Sequence, residues 1–376
     1  MRYCSNCGNQ LGDNETQCSN CGLLTDNNTS VENQTDFVQN SNNNETTNMA
    51  EDILNKATRK INELAGENGS VKLHFRDLFS SVFKKHTANE SEEIFISGTT
   101  KTTPDERSIS STWPKPWLFS RVFLMFLVTF LALYICFDRL KNINALPGLV
   151  FIGAMAVPMS LVIFFMEVNA PRNISFLETI KIFFVGGAAS ILVSLTLFSV
   201  VSAGTGYAGA IITGIIEETG KAIIIAWFVK DVKHKKFLLA GMLIGSAVGA
   251  GFAAFETAGY ILGYGMSGGK DLMFDVLILR AILTPGGHVI WGAILGGTLM
   301  LVKKDALLSS AHLFDKRFIS FYILCVAMHS IWDMPIKVQH SLVQVAMTVC
   351  AWIIALVLIN VGLKEVSRAG NSQIEN

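Results

Sequence analysis

Apolar stretches long enough to cross a lipid bilayer recur from Trp117 to the C-terminus, and short polar loops separate them. The second stretch contains Pro158 and the sixth opens with the sequence TPGG, so we expect kinked or broken helices there. The pattern predicts an all-α polytopic membrane protein with about eight transmembrane helices. The predicted spans lie near residues 117–137, 146–167, 176–201, 207–229, 237–263, 275–302, 317–336 and 341–363.

Composition supports this interpretation. Of the 376 residues, 50% are hydrophobic and only 16% are charged, and the mean hydropathy is +0.41. A soluble protein of ordinary composition is far less apolar. Lysine plus arginine and aspartate plus glutamate balance at 30 each, so net charge does not indicate a nucleic-acid partner.

Basic residues in the short loops predict the orientation of the chain. The loops at 230–236 and 303–317 are basic and should be cytoplasmic, whereas the uncharged loop at 202–206 should be external. With eight spans this places the N-terminus in the cytoplasm of a multi-pass plasma-membrane protein. Arg139 and Lys141, in the first loop, do not follow the rule.

The first residues contain a predicted zinc site. Cys4, Cys7, Cys18 and Cys21 form two CxxC pairs, each followed by glycine and separated by a short polar spacer. Four thiolates at this spacing close a tetrahedral structural zinc site, and no signal-peptide core precedes them. We therefore predict a zinc ribbon over residues 1–24, kept reduced in the cytoplasm.

Residues 25–112 are predicted to be a disordered tether with amphipathic helices. Residues 22–50 are rich in Asn, Thr and Ser and have little to bury. Residues 51–64 and 71–85 show helical periodicity, and the second pattern is basic enough to lie on an anionic membrane surface. Packing as a small helical element or against a partner is an equal alternative.

The ribbon and tether lie outside the predicted membrane domain, residues 113–366, which a tail at 367–376 follows. Their predicted role is regulation or the recruitment of a cytoplasmic protein partner. We do not expect nucleic-acid binding, because this region has few clustered basic and aromatic residues.

A set of ionisable residues interrupts four of the predicted spans. Each such residue costs roughly 2.5–3.5 kcal/mol at the centre of a membrane helix, so these side chains should face a protein interior or a wet cavity. The set consists of Glu217, Glu218, Lys221, Glu256, His288, His329 and Asp333.

Helical geometry sorts this set further. Adjacent residues lie about 100° apart, so Lys221 falls between the directions of Glu217 and Glu218 and can neutralise one of them. His329 and Asp333 are four residues apart and share a face, so Asp333 could accept the far ring N–H of His329. Carboxylates and imidazoles at similar depth predict one functional cavity.

Three functions remain open on these residues alone. Carboxylates with two imidazoles are suited to hydrolysis, in which a glutamate activates water. They also suit a proton-coupled transporter, or a structural ion-pair cluster in a membrane sensor or scaffold without turnover.

Four short motifs lie in order on successive predicted spans: EETGK (217–221), FAAFE (252–256), HVIWG (288–292) and HSIWD (329–333). They resemble the motifs EExxK, FxxxE, HxxxG and HxxxD of the PrsW family of intramembrane proteases, which is related to the CAAX prenyl endopeptidase and Abi superfamily. The resemblance implies a membrane-embedded endopeptidase whose substrate is a membrane protein, such as an anti-sigma factor cleaved on the external side.

The resemblance also implies roles for individual residues. Glu217, Glu218 and His288 occupy the positions most implicated in catalysis, and Glu256 stands where the CAAX-processing relatives have histidine. This departure argues against prenyl-protein processing and leaves open whether the site binds a metal. The superfamily also contains non-proteolytic scaffold subunits.

The catalytic hypothesis has one glutamate as general base on water, while Asp333 orients His329. His288 and His329 polarise the scissile carbonyl, directly or through a metal that Glu256 could help to bind. Such a metal would be zinc, and Lys221 would support the two adjacent glutamates.

Overall fold

A computed structural model gives the fold, and the cysteines of the predicted ribbon lie outside the residues it describes. The chain divides into two compact units, Met1–Ile53 and Leu54–Asn376. In the first unit, β1 (Arg2–Tyr3) pairs antiparallel with β2 (Gln10–Leu11). The described residues are 2–3, 10–11, 41–230, 236–336 and 340–372.

The rest of the described chain is helical, as the apolar pattern predicts. Five predicted spans, those near 117–137, 146–167, 176–201, 207–229 and 317–336, coincide with a helix or helix pair to within a few residues. The helices Leu238–Leu283 and His340–Ser372 extend well beyond the predicted ends at 263 and 363, and the predicted span 275–302 is divided between two helices. The helices are α1 (Ser41–Leu64), α2 (Ala88–Phe95), α3 (Leu118–Asp138), α4 (Leu146–Val168), α5 (Phe176–Lys181), α6 (Gly187–Val200), α7 (Gly206–Val229), α8 (Leu238–Leu283), α9 (His288–Lys303), α10 (Ser310–Leu313), α11 (Lys316–Asp333) and α12 (His340–Ser372).

Among the described residues, five helical segments are long and apolar enough to cross a membrane. Helices α7 and α11 are not among them, because each carries three charged side chains. The second unit thus has an all-helical architecture with several candidate membrane spans, and the number eight stays a prediction. The five segments are Leu118–Asp138, Ile143–Val168, Phe176–Val200, Leu238–Lys303 and Ser341–Asn371.

The predicted break at TPGG is confirmed, because a 3-10 turn, Thr284–Gly286, separates α8 from α9, which begins at His288. A second break lies inside α8 at Gly269, where φ is +79°. Residues 270–283 run back from it beside the first half of α8, so that Arg280 Nε lies 2.9 Å from Thr257 Oγ1. Helix α4, in contrast, continues through Pro158.

Helices α8 and α9 approach each other more closely than side chains would allow. A methyl group added at Gly245 would lie 1.9 Å from the carbonyl oxygen of Gly292, and one at Gly296 would lie 2.1 Å from that of Gly241. Small residues permit such backbone contact between membrane helices. This packing holds the start of α9, and with it His288, against the middle of α8.

Residues 54–112 belong to the same compact unit as the membrane helices, which corrects the prediction of a tether. Val71 and Leu78 are buried in the core that the membrane helices form. The helix predicted over 71–85 is wrong, because residues 74–84 form successive turns closed by hydrogen bonds between residues three apart, and Ser80 Oγ donates to Asp77 O. Tertiary burial and local side-chain hydrogen bonds override its amphipathic pattern.

Specific contacts hold the start of α3 on α4 and residues 54–112 on the membrane helices. The carboxylate of Glu167 on α4 accepts the backbone N–H groups of residues 117–119 at the start of α3. The ring of His86 stacks on Trp117 with centroids 3.7 Å apart. The predicted tail also has structure, since α12 extends to Ser372 and Arg368 donates two hydrogen bonds to Glu67.

Candidate active site

Helix α7 carries the two adjacent glutamates near its middle. Glu218 and Lys221 are fully buried, and Lys221 Nζ lies 2.5 Å from Glu218 Oε1. Glu217 points in another direction, because adjacent helical residues lie about 100° apart. Lys221 therefore neutralises one carboxylate, as expected, and that carboxylate is Glu218.

His329 on α11 is held from both sides of its ring. Its Nδ1 lies 2.7 Å from Glu218 Oε1, while its Nε2 lies 3.3 Å from Asp333 Oδ2 and 3.6 Å from Glu217 Oε2. The ring of Trp291 stacks against it at 4.6 Å. Asp333 thus contacts His329, but at the same ring nitrogen that faces Glu217. The far ring nitrogen, which was expected to face Asp333, is taken by Glu218.

His288 begins α9 and links α7 to α8. Its Nδ1 lies 2.9 Å from Lys221 Nζ, and its Nε2 lies 3.0 Å from Glu256 Oε2. The rings of His288 and His329 have centroids 5.1 Å apart. All seven ionisable residues selected from the sequence therefore belong to one connected network.

Arg280 is a site residue that the sequence analysis missed. Its guanidinium donates a hydrogen bond to Glu256 and lies over the ring of Tyr260, 4.4 Å from the centroid. A sequence signal did exist, because this arginine interrupts the apolar stretch 276–283. An ionisable residue in such a stretch is itself a reason to expect a functional site.

The residues fit a zinc ion, and the observed set differs from the expected one. Glu217, His288 and His329 offer ligand atoms that all lie within 4.8 Å of one another. Buried Glu217 Oε2 has no hydrogen-bond partner among the described residues. Two imidazoles and one carboxylate form a known catalytic zinc ligand set. Glu217 thus takes the place expected for Glu256, which pairs with Arg280.

Two cavities meet at this network. The first, of about 490 Å³, is polar and extends from the loop before α7 to Arg280 and Asp333. The second, of about 790 Å³, is mostly apolar and lies between α6, α7 and α8. Glu217 and Glu256 line both cavities, whereas Glu218 is not among the described residues that line either. The site can therefore receive water from one side and an apolar chain from another.

Comparison with known proteins agrees with the motifs. Residues 173–359 match the model of the PrsW family intramembrane metalloprotease, and residues 3–23 match a zinc-ribbon domain. No curated protein and no solved structure matches the chain. The matched region contains the whole network, and both matches point to zinc as the cofactor. The helical domain of this chain belongs to the PrsW family of intramembrane metalloproteases, and a zinc-ribbon domain precedes it.

Proposed function

We propose that this protein is a zinc endopeptidase that hydrolyses peptide bonds of membrane proteins within the bilayer. The observation that carries this proposal is the convergence of Glu217, His288 and His329, with ligand atoms within 4.8 Å of one another. They meet where a polar cavity joins an apolar groove. Hydrolysis needs both, because the substrate comes from lipid and the second reactant is water.

Glu217, His288 and His329 would hold the zinc ion, which when bound polarises a carbonyl and makes water more acidic. The other residues orient these ligands. Glu218 accepts from His329 Nδ1 and so leaves Nε2 directed at the site. Such an outer contact fixes the tautomer and ring orientation of a ligating histidine. Lys221 neutralises Glu218 and approaches His288 Nδ1.

Glu256 is the general base in this proposal. Arg280 donates a hydrogen bond to its Oε2, and His288 Nε2 lies 3.0 Å from the same oxygen, so its Oε1 can accept a proton from water in the polar cavity. This assignment differs from the expectation that Glu217 or Glu218 is the base. Glu217 lies among the proposed metal ligands, and Glu218 is fully buried and paired with Lys221.

The proposed reaction has two proton transfers, both at Glu256. Glu256 removes a proton from water while the water oxygen attacks the scissile carbonyl carbon. The same carboxyl group returns the proton to the amide nitrogen as the C–N bond breaks. The products are a new carboxylate and a new amino terminus. Arg280 keeps Glu256 in position through both transfers.

The charges of the loops predict which side of the membrane the polar cavity faces. The polar cavity includes Gly204 and Thr205, which belong to the uncharged loop predicted to be external. If α7 and α11 also cross the plasma membrane and Leu238–Lys303 crosses it twice, all eight predicted spans exist and the N-terminus is cytoplasmic. Cleavage would then be accessible from outside, as suits an anti-sigma-factor-like substrate. The zinc ribbon would bind a cytoplasmic protein partner.

The test compares wild type with Glu256→Gln and Glu217→Gln at matched levels in cell membranes. Quantitative N-terminal peptide mapping should find new termini only with wild type, since each variant removes an essential carboxylate. Zinc analysis of the purified proteins should separate the roles: Glu256→Gln keeps the zinc content of wild type, and Glu217→Gln loses one ion.

The matched control is Glu92→Gln, an exposed position on α2. It should resemble wild type in both measurements. Identical termini from wild type and both site variants would overturn the proposal in favour of a scaffold without turnover. Dependence of a measured flux on an ion gradient, with no new termini, would favour the transporter.

A further inference from the structure

A turn with the sequence FSSVFKK, residues 79–85, exposes two phenylalanine rings. Phe79 is 59% exposed and Phe83 is 94% exposed, although Leu78 beside them is buried in the core. A single exposed apolar side chain is ordinary in a protein, whereas a group of them marks a surface that another molecule covers. The turn lies outside the region that matches the protease family, so the active site does not account for this surface.

Contacts with the first turn of α3 hold these rings in place. The Arg121 guanidinium donates to the backbone carbonyls on both sides of Phe83, each at 3.2 Å. The ring of Phe79 packs edge-on against that of Phe119, with centroids 6.3 Å apart. Both partners belong to the first turn of α3, which begins at Leu118. Residues 79–85 therefore lie at the level where α3 begins.

This level corresponds to one boundary of the bilayer. Helix α3 has 21 residues, or about 31 Å at 1.5 Å per residue, which is close to the thickness of a hydrocarbon core, about 30 Å. Only 6% of its apolar span is buried against the rest of the described chain, so lipid contacts α3 along its length. The first turn of α3 should lie where the hydrocarbon meets the lipid headgroups. The two phenylalanine rings therefore extend a lipid-facing surface at that boundary.

Positive charge accompanies the rings. Lys84 and Lys85 follow Phe83 directly, and both are exposed. Their ammonium groups have no ion-pair or hydrogen-bond partner among the residues that the structure describes. The nearest acidic groups in sequence, Asp77 and Glu90, each lie against a histidine ring nitrogen, at 3.1 and 3.0 Å. Aromatic rings beside lysines are typical of segments in the membrane interface, where the rings enter the acyl boundary and the long basic side chains reach lipid phosphates.

Lipid fits this surface better than a second copy of the chain or another protein. The rings continue the lipid-facing side of α3, and a protein that covered them would itself have to lie partly in the bilayer. The basic loops predict that α3 begins on the cytoplasmic side. The cytoplasmic leaflet carries anionic lipids, and two lysines without acidic partners complement it.

We propose that residues 79–85 form a binding site for anionic phospholipids in the leaflet at the start of α3. The rings of Phe79 and Phe83 enter the acyl boundary, and Lys84 and Lys85 contact the lipid phosphates. Arg121 fixes the depth of the turn. This site holds residues 54–112 on the membrane surface, and it does not depend on the proposed endopeptidase function.

The first test measures contact between the turn and lipid. Full-length Phe83→Trp is placed in mixed micelles that contain phosphatidylglycerol with brominated acyl chains, which quench tryptophan emission on contact. The signal is the emission that the variant adds to that of the six native tryptophans. Most of this added emission should be quenched. Brominated phosphatidylcholine should need a mole fraction about 25-fold higher, because each lysine near an anionic surface contributes about fivefold.

A second test removes the charges. Adding Lys84→Gln/Lys85→Gln to Phe83→Trp should abolish the preference for phosphatidylglycerol. The matched control is Lys101→Gln/Lys316→Gln in the same background, which removes the same charge from exposed positions and should keep the preference within about twofold. All variants should keep the melting temperature of wild type. Equal loss of preference in both double variants would assign it to the net charge of the protein and overturn the site.

Three other outcomes would also overturn the proposal. Added emission at the wavelength of tryptophan in water, unquenched by either lipid, would show that the ring at position 83 stays in solvent. Added emission at shorter wavelength, still unquenched, would show that a second copy or a protein partner covers the ring. Equal quenching by both lipids at the same mole fraction would show an apolar contact in which the lysines do not select the lipid.

Discussion

The two adjacent glutamates of α7 lie in different surroundings. Glu218 belongs to a sealed half of the site with Lys221, and both side chains are fully buried. Glu217 belongs to a cavity-facing half with Glu256 and Arg280, which line the polar cavity. One step along a helix turns a side chain by about 100°, and here that rotation separates a buried ion pair from a residue that lines the polar cavity. The motif EExxK therefore places its two glutamates in different environments.

The two halves should respond differently to substitution. An ion pair that solvent cannot reach is costly to bury. Removing one partner costs more, because the remaining charge is left buried without a partner or water. A group beside a cavity can be rehydrated when its partner is removed. Loss of stability should therefore mark the sealed half, and loss of turnover with normal stability should mark the cavity-facing half.

The largest effect on stability is expected for Glu218→Gln. Removing this carboxylate leaves Lys221 buried without its partner, which should cost about 3–5 kcal/mol of unfolding free energy. Unfolding of the purified protein in mixed micelles measures it. The double variant Glu218→Gln/Lys221→Met removes both charges and should recover most of the loss. A single variant as stable as wild type would show that this half is not sealed.

A smaller and different effect is expected for Asp333→Asn. The Asp333 side chain is 34% exposed and contacts His329 Nε2. Since Nε2 is the nitrogen proposed to hold the zinc, Asp333 supplies negative charge beside the ion, and its replacement should lower zinc affinity about tenfold with little change in stability. Competition with a chelator measures the affinity. Exposed Asp305→Asn is the control, and equal losses in both variants would contradict the assigned contact.

Arg280→Lys should affect turnover alone. Lysine keeps the charge but cannot reproduce the fork that reaches both Glu256 and Thr257. Loss of one hydrogen bond to a charged group, about 1.5 kcal/mol, corresponds to a roughly tenfold slower cleavage. Zinc content should not change. A drop in bound zinc would place Arg280 among the groups that support the metal rather than the base.

The smallest effect is expected outside the membrane, at the pair of Glu67 and Arg368. The hydrogen bond from Arg368 lowers the pKa of Glu67. The pair therefore stabilises the fold above the pKa that Glu67 has when unfolded, and this contribution is lost as pH falls through the folded pKa. Arg368→Ala should cost at most about 1 kcal/mol near neutral pH and nothing at lower pH. A pH-independent cost would indicate packing instead.

The sequence predicted which ionisable residues lie close together but not which side chains contact one another. Glu217, Glu256, His288 and His329 follow from short motifs, since ionisable residues in apolar spans are conspicuous. Arg280 was missed because it lies on the returning part of α8, which the apolar pattern does not distinguish from an ordinary span. The exchange of Glu217 for Glu256 beside the histidines could not be predicted, because it depends on the side-chain directions of two helices.

The sequence by itself determined that the chain is helical, that it crosses a membrane several times and that a zinc ribbon precedes this domain. These properties depend on hydropathy and on cysteine spacing, which are local along the chain. Only the tertiary structure decided that 54–112 packs on the membrane helices, that 270–283 folds back and that a groove stays open beside Gly263. These features depend on contacts between residues far apart in sequence, because each helix has several faces and the neighbours decide which are filled.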